Sequence, residues 1–311
     1  MALGSKKKKR DAASELTDDL LVEILSRVPY RTTCCCKCVY RRWRDVVSHP
    51  DHRKKLPQTL AGFFYETEDK GRFPRKARHF TSVSGGYAYH PCFDPSLSFL
   101  PKYKSLDILD CCNGLLLCHC SKGTDPNALH YVVCNPATGK WVAVPGTCWS
   151  GNGPITRLGF DPAVSSQFYV FEFITVCVPK DDTYYNHRIN AVWIYSHNTG
   201  DWSYNVNGLG NDIRIHVGSK SIFFSGMLHW ATDNLVVAIG VQGDDWRTIR
   251  IPTPPYLYNA GPNDIYLSEG QLCLANMTCL ELSIWALEDS STEKWALKHN
   301  ARRSQLSFAF V

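Results

Sequence analysis

The ten residues "CCNGLLLCHC" at 111–120 gather Cys111, Cys112, Cys118, His119 and Cys120, and thiolates with imidazole are ligands for zinc. The same stretch holds Asn113-Gly114, a pair that favours a tight turn between two apolar strands. Alternate side chains of a strand point to opposite faces, so Cys118 and Cys120 are expected on one face and His119 on the other. Apolar burial explains such thiols at least as well as a metal does, and neither metal nor cofactor is expected. Cys34, Cys35, Cys36 and Cys38 read in the same way, as small packing residues of a helix.

Other chemistry finds no complete motif. "GLGNDI" at 208–213 begins like a dinucleotide loop but lacks the third glycine and sits among strand-like segments. "ATGKW" at 137–141 has a glycine-lysine pair without the upstream glycine or the following Ser or Thr of a phosphate loop. There is no H-E-x-x-H helix and no G-x-S-x-G elbow. The histidines and carboxylates are scattered, with no spacing that assembles a catalytic triad. A non-catalytic protein is expected.

Charge and composition narrow the partners. The chain has 311 residues, is 44% hydrophobic and carries a formal charge of +5. Residues 6–10, "KKKKR", supply five positive charges by themselves, so the rest is close to neutral and no nucleic-acid surface follows. No stretch approaches the 18 or so uncharged apolar residues of a membrane helix, and no signal-like run follows the lysines. Fourteen cysteines in such a context read as reduced thiols, and a nuclear or cytoplasmic location is expected. Lys6–Arg10 read either as an import signal or as part of a solvated disordered tail over residues 1–14.

From Leu16 the pattern becomes helical. Thr17 can cap, Asp18 and Asp19 suit the positive end of a helix dipole, and Leu20, Leu21, Ile24, Leu25 and Val28 recur at three-to-four spacing. Pro29 disfavours helical geometry at Val28 and closes the element. Two further short helices are expected over about 32–39 and 41–47, with Val39 and Trp43 along one side. Three helices in a module over residues 15–57 cannot bury all their apolar faces unaided, and five apolar residues on the first helix exceed one narrow stripe. The surplus either docks on the rest of the chain or is held out for another protein.

The run "LTDDLLVEILSRVPYRTTCCCKCVYRRW", residues 16–43, resembles an F-box, the module by which substrate receptors attach to the Skp-type adaptor of cullin-RING ubiquitin ligases. The matching positions are Leu16, Asp19 to Leu21, Glu23 to Leu25, Arg27, Pro29, Lys37 to Val39, and Trp43. The resemblance implies that Leu16, Leu20, Leu21, Ile24, Leu25, Val28, Pro29, Val39 and Trp43 serve adaptor binding. Departures fall at Thr17, where the family has proline, and at Thr33 to Cys36, where leucine, arginine and phenylalanine are more typical. The smaller apolar area of Thr33 and Cys36 implies an adaptor affinity below the family norm.

Residues 58–311 break into short apolar segments separated by Gly, Pro, Asn and Asp, an all-β pattern. "YVVCNPATGKWVAVP" (131–145), "VWIYSHNTGDWSYNV" (192–206), "LVVAIGVQGDDWRTI" (235–249) and "LSIWALEDSSTEKWAL" (282–297) share one plan: a strand, a polar turn, then a tryptophan opening the next strand. Trp141, Trp202, Trp246 and Trp295 are the repeated residues and are expected in blade cores. Gly114, Gly226 and Gly270 each begin an apolar strand ahead of one of these units. A double hairpin recurring every 40–50 residues is the signature of propeller blades, with an irregular β-sandwich as the competing packing. "CNGLLLC", "CNPATGKW", "LGFDP", "SGMLHW" and "LSIWALED" resemble recurrent phrases of the F-box-associated region of plant F-box proteins. "ARRSQLSFAFV" at the C-terminus does not match, which implies a last blade missing or altered.

The expected fold is therefore a small three-helix module followed by an all-β, propeller-like domain. The function it implies is a substrate receptor that holds a Skp-type adaptor, and through it cullin and RING subunits, while the β domain presents loops to a target protein. A propeller interaction scaffold outside any ligase is the alternative.

Overall fold

The computed structural model describes residues 16–28, 30–53, 55–56, 62–68, 76–83, 94–101, 103, 105–121, 129–148, 155–178, 186–206, 208, 210, 213–216, 218–232, 234–252, 264–268, 270–277 and 281–302. Lys6–Arg10, Pro29 and the C-terminal segment from 303 lie outside them.

Helix α1, Asp18–Ser26, begins where its sequence provides a cap: Thr17 is extended and its hydroxyl accepts from the Leu20 amide at 3.4 Å. Asp18 and Asp19 occupy the first turn, at the positive end of the dipole. Helices α2 (Tyr30–Val39) and α3 (Arg41–Ser48) follow, separated by the single extended residue Tyr40, and α4 (Pro50–Arg53) closes the run. Leu21, Val22, Leu25, Val46, Val47 and Leu56 form the core of this module, with Val28, Cys36 and Trp43 packed against it. Arg42 ties α3 to the start of α1, donating to Asp18 at 2.9 Å and to the Leu16 carbonyl.

The chain divides into two compact units, residues 1–91 with 162–165, and residues 92–161 with 166–311. The first unit extends past the boundary expected at residue 57, because it includes an antiparallel hairpin of β1 (Gly62–Glu68) and β2 (Lys76–Ser82).

The second unit is built from four antiparallel sheets, each contiguous in sequence. The first runs β3 (Ser105–Cys112), β4 (Leu115–Ser121), β5 (Leu129–Asn135), β6 (Lys140–Pro145). The second runs β7 (Ile155–Phe160), β8 (Phe168–Val178), β9 (Asn186–Ser196), β10 (Asp201–Val206), with β11 (Arg214–His216) pairing the start of β9. The third is β12 (Ser221–Phe224), β13 (Met227–Ala231), β14 (Leu235–Gly240), β15 (Trp246–Arg250), and the fourth β16 (Asp264–Ser268), β17 (Gln271–Met277), β18 (Glu281–Asp289), β19 (Lys294–Arg302). Each expected strand-turn-tryptophan unit is thus the third and fourth strand of one sheet. Asn113 and Gly114 both have positive φ, the backbone a two-residue hairpin requires, and Ser225-Gly226 repeats it in the third sheet.

Consecutive sheets cover one another. Leu117, Tyr131, Val133 and Val144 of the first sheet pack on Leu158, Val170 and Tyr195 of the second. Phe171, Phe173, Val192 and Ile194 of the second pack on Leu228, Trp230, Val237 and Ile239 of the third. Ala231, Val236 and Ile249 of the third meet Ile265, Leu272 and Leu274 of the fourth. Strands β13 and β14, sandwiched on both faces, are apolar almost throughout rather than alternating. The first strands of the sheets also neighbour one another in order, β3 beside β7, β7 beside β12, and β12 beside β16.

Candidate functional site

The apolar residues of α1 fall into two adjacent i, i+4 stripes with different fates. Leu21 and Leu25 are 2% and 3% exposed inside the module, whereas Leu20 and Ile24 are 54% and 48% exposed. At the end of α2, Val39 is 73% exposed, and the next residue, Tyr40, stands 45% exposed. Leu16, Val28 and Trp43 are half-buried, the last two against the core. Of the nine residues expected at an adaptor surface, Pro29 lies outside the described residues and the other eight are therefore sorted. Leu20, Ile24 and Val39 are outward, Leu21 and Leu25 hold the helices together, and Leu16, Val28 and Trp43 lie between. Tyr40 joins the outward group without having been singled out by periodicity. Its signal was its place as a bare aromatic between two helices.

Thr33 and Cys36 also move. Thr33 is buried and donates its hydroxyl to the Leu25 carbonyl at 3.4 Å, and Cys36 packs against the core. Their reduced apolar area therefore falls at least in part on the module's own packing.

The repeated tryptophans, expected in blade cores, divide: Trp141 is 39% exposed, whereas Trp202, Trp246 and Trp295 are half-buried and pack against the cores between sheets. Trp202 donates its indole N–H to the Pro145 carbonyl at the end of the first sheet, at 2.9 Å. Trp295 does the same to the Arg250 carbonyl at the end of the third, at 2.8 Å. They fasten one sheet to the sheet before it. The fully buried tryptophan among the described residues is Trp230, donating to the Arg214 carbonyl at 3.0 Å and set edge-on to Phe173 and Trp246. It belongs to the quoted phrase "SGMLHW", where burial on both faces of β13 was the missed signal.

Of the cysteine cluster, Cys118 and Cys120 are fully buried on the face of β4 opposite His119, whose ring lies 6.0 Å from that of Tyr131. Burial raises the Cys112 thiol to about 12. Its Sγ donates to the Phe160 carbonyl at 3.3 Å, a packing role.

Buried polar groups lie where the sheets meet. Asp110 on β3 accepts from the Leu158 amide of β7 at 2.8 Å and from the Cys111 amide at 2.9 Å. Burial pushes its carboxyl up to about 6, with the Leu158 amide and the Arg157 guanidinium opposing. Arg157, itself buried, donates to the Ser219 carbonyl ahead of β12 at 2.8 Å. Glu172, with no exposed surface, accepts from the Tyr131 hydroxyl at 2.9 Å and from the Thr147 hydroxyl. These groups cross-link neighbouring sheets.

A helical module with outward apolar residues precedes a train of sheets along the chain. Known proteins give that arrangement its class. A model of the F-box domain matches residues 13–55, and one described as "F-box protein At3g26010-like, beta-propeller" matches residues 93–310. The chain is thus an F-box protein of the plant type, and it belongs to the F-box protein At3g26010-like beta-propeller family. It is similar to F-box protein At5g07610 of Arabidopsis thaliana, 25% identical over 94% of this chain and 72% of that one. F-box protein At5g49610 of the same plant is 26% identical over 60% of this chain and 53% of its own length. The putative F-box/kelch-repeat protein At1g15680, again of that plant, is 24% identical over 91% and 71%.

Proposed function

We propose that this protein is the substrate-recognition subunit of an SCF-type cullin-RING ubiquitin ligase. The outward residues Leu20, Ile24, Val39 and Tyr40 take a Skp-type adaptor, and through it the cullin and RING subunits. The second unit, a propeller-like domain, carries the target. The observation behind this reading is the division of α1: Leu21 and Leu25 saturate the module's core while Leu20 and Ile24, one residue and one turn away, stay in solvent. Large apolar side chains left out of a core that sits beside them mark an interaction face. The protein catalyses nothing itself; it raises the effective concentration of a target lysine near the ubiquitin-loaded enzyme.

The test is co-purification of the full chain with a Skp-type adaptor. Leu20→Asp with Ile24→Asp abolishes the complex, because an unpaired carboxylate in an apolar interface is strongly unfavourable, and far-UV circular dichroism stays unchanged. Failure of the unaltered chain to bind any Skp-type adaptor at about 50 μM would sink the reading. Removal of Lys6–Arg10 tests the location: loss of nuclear accumulation of a tagged chain assigns those residues as an import signal, and an unchanged distribution makes them a tail.

A further inference from the structure

The second sheet departs from the others on the face it turns toward the first sheet. Near the hairpin ends that face is covered, through Val170, Tyr195 and Trp202. Further along, in the rows Glu172–Trp193–Tyr204 and Ile174–Ala191–Val206, Glu172 and Ala191 stay covered while the face opens to solvent at its outer strand. Tyr204 and Val206 are 51% and 67% exposed, and Tyr204 lies against Trp193 with ring centroids 5.0 Å apart. Between Ile174 and Thr175 the register shifts, because β9 has one residue more than β8 there. An extra residue flips the faces beyond it, so Ile189 joins the opposite core and Arg188 returns to the face of Trp193. Arg188 is paired directly across from Arg214 of β11.

Like charges at directly opposed positions of neighbouring strands are unfavourable unless something anionic lies near them. Neither is ion-paired among the described residues. The Arg188 Nε and the Trp193 indole nitrogen are both buried donors without an acceptor, a costly state that sets this face apart. Both belong to this one face.

The adjoining edge is also unlike the others. Outer strands of sheets are commonly guarded by charge against pairing with foreign strands. Strand β15 has Arg247 and Arg250, β19 has Lys294, Lys298 and Arg302, and β6 has Lys140 and ends in Pro145, whereas β10, "DWSYNV", has only Asp201 at its start.

We propose that this face and edge are a docking site for an extended, acidic peptide segment of the target protein, laid beside β10 with an apolar side chain on Trp193, Tyr204 and Val206 and carboxylates over Arg188 and Arg214. The site presupposes the target-receptor role proposed above. Glu172 and Val176, the β8 partners of Trp193 and Arg188, are four residues apart, about 13 Å of strand at about 3.3 Å per residue. The segment therefore has its acidic residues about four positions from its apolar anchor. Main-chain pairing supplies affinity, and the two guanidiniums select the sign of charge.

The probe is a set of fluorescein-labelled dodecapeptide pools, random except for a leucine at position four and, at positions eight and nine, glutamates, lysines or phosphoserines. The immobilised full chain retains the glutamate pool over the lysine pool by at least about tenfold, and retention falls as salt rises. Arg214→Gln weakens retention of the glutamate pool severalfold, Arg214→Glu reverses the preference toward lysine, and Tyr204→Ala weakens both. Adaptor co-purification is unaffected by Arg214→Gln, so failure at this site is distinguishable from failure of the ligase reading. Equal retention of the glutamate and lysine pools, retention of neither, insensitivity to Arg214→Gln, or retention of the phosphoserine pool alone overturns the proposal.

Discussion

The helical module and the train of sheets treat their apolar residues in opposite ways. In the sheets, large side chains are taken inside from both faces, so that β13 and β14 have almost no exposed side chain, and the margins are fastened by indole hydrogen bonds. In the module, six residues make the core while Leu20, Ile24, Val39 and Tyr40 remain outside it. A train of sheets can add another sheet to cover an open face; three short helices have nothing further of their own to add. What is left exposed in the module lies beside its core, whereas in the sheets it is scattered over outer strands and strand ends, as at Tyr204, Val206, Val176 and Met277.

The sharpest way to break this contrast is Trp230→Ala. Its ring is fully buried among the second and third sheets, so the substitution costs about 3–5 kcal/mol in denaturant unfolding; a loss below about 1 kcal/mol contradicts the two-sided burial. Next comes the pair Leu25→Ala and Leu20→Ala, which the stripes of α1 set apart. The first costs about 2–4 kcal/mol of the module's stability, since it opens a cavity, and the second stays within about 0.5 kcal/mol because the site is in solvent. Equal losses in helix melting would erase the distinction between core stripe and outward stripe.

Within the sheets, Trp295→Ala removes both packing and the bond to the Arg250 carbonyl and costs roughly 1–3 kcal/mol. Trp141→Ala, at an exposed margin, costs less than about 1 kcal/mol. Thermal unfolding of the two variants side by side decides whether the fastening matters.

The smallest effect is a pH dependence at Asp110. Its carboxyl titrates near 6 in the folded protein, above the ordinary value near 4, so the folded state holds the proton more tightly than the unfolded chain. The contribution is full below about pH 4 and is lost as pH rises through 6, on the order of 1–3 kcal/mol. Asp110→Asn keeps an acceptor for the Leu158 amide and flattens that slope, measured by urea unfolding at stepped pH. A variant with the wild-type slope assigns it to another group.

The turns were the most legible part of the fold, since Asn113-Gly114 needs positive φ twice in succession and few residue pairs supply it. The tryptophan repeat correctly marked the fourth strand of each sheet, because the preceding turn sets where that strand begins. Its burial was not legible: whether an indole meets a neighbour depends on which sheet stands beside it, and sequence spacing has no record of that. Nor does periodicity separate Leu20 from Leu21, as the stripes Leu20–Ile24 and Leu21–Leu25 have the same spacing and equal apolarity. The pairing of Arg188 with Arg214 depends on one extra residue in β9 and on a three-residue strand arriving from elsewhere, and no local pattern announces either.

The indole ties have a direction. Trp202 and Trp295 each reach back to a carbonyl of the sheet encoded earlier. For these two ties a chain leaving the ribosome has the acceptor carbonyl in place before the indole that seeks it. A ribosome that stops early releases a shorter train with its existing ties intact, whereas loss of the first sheet takes away the acceptor on which Trp202 depends.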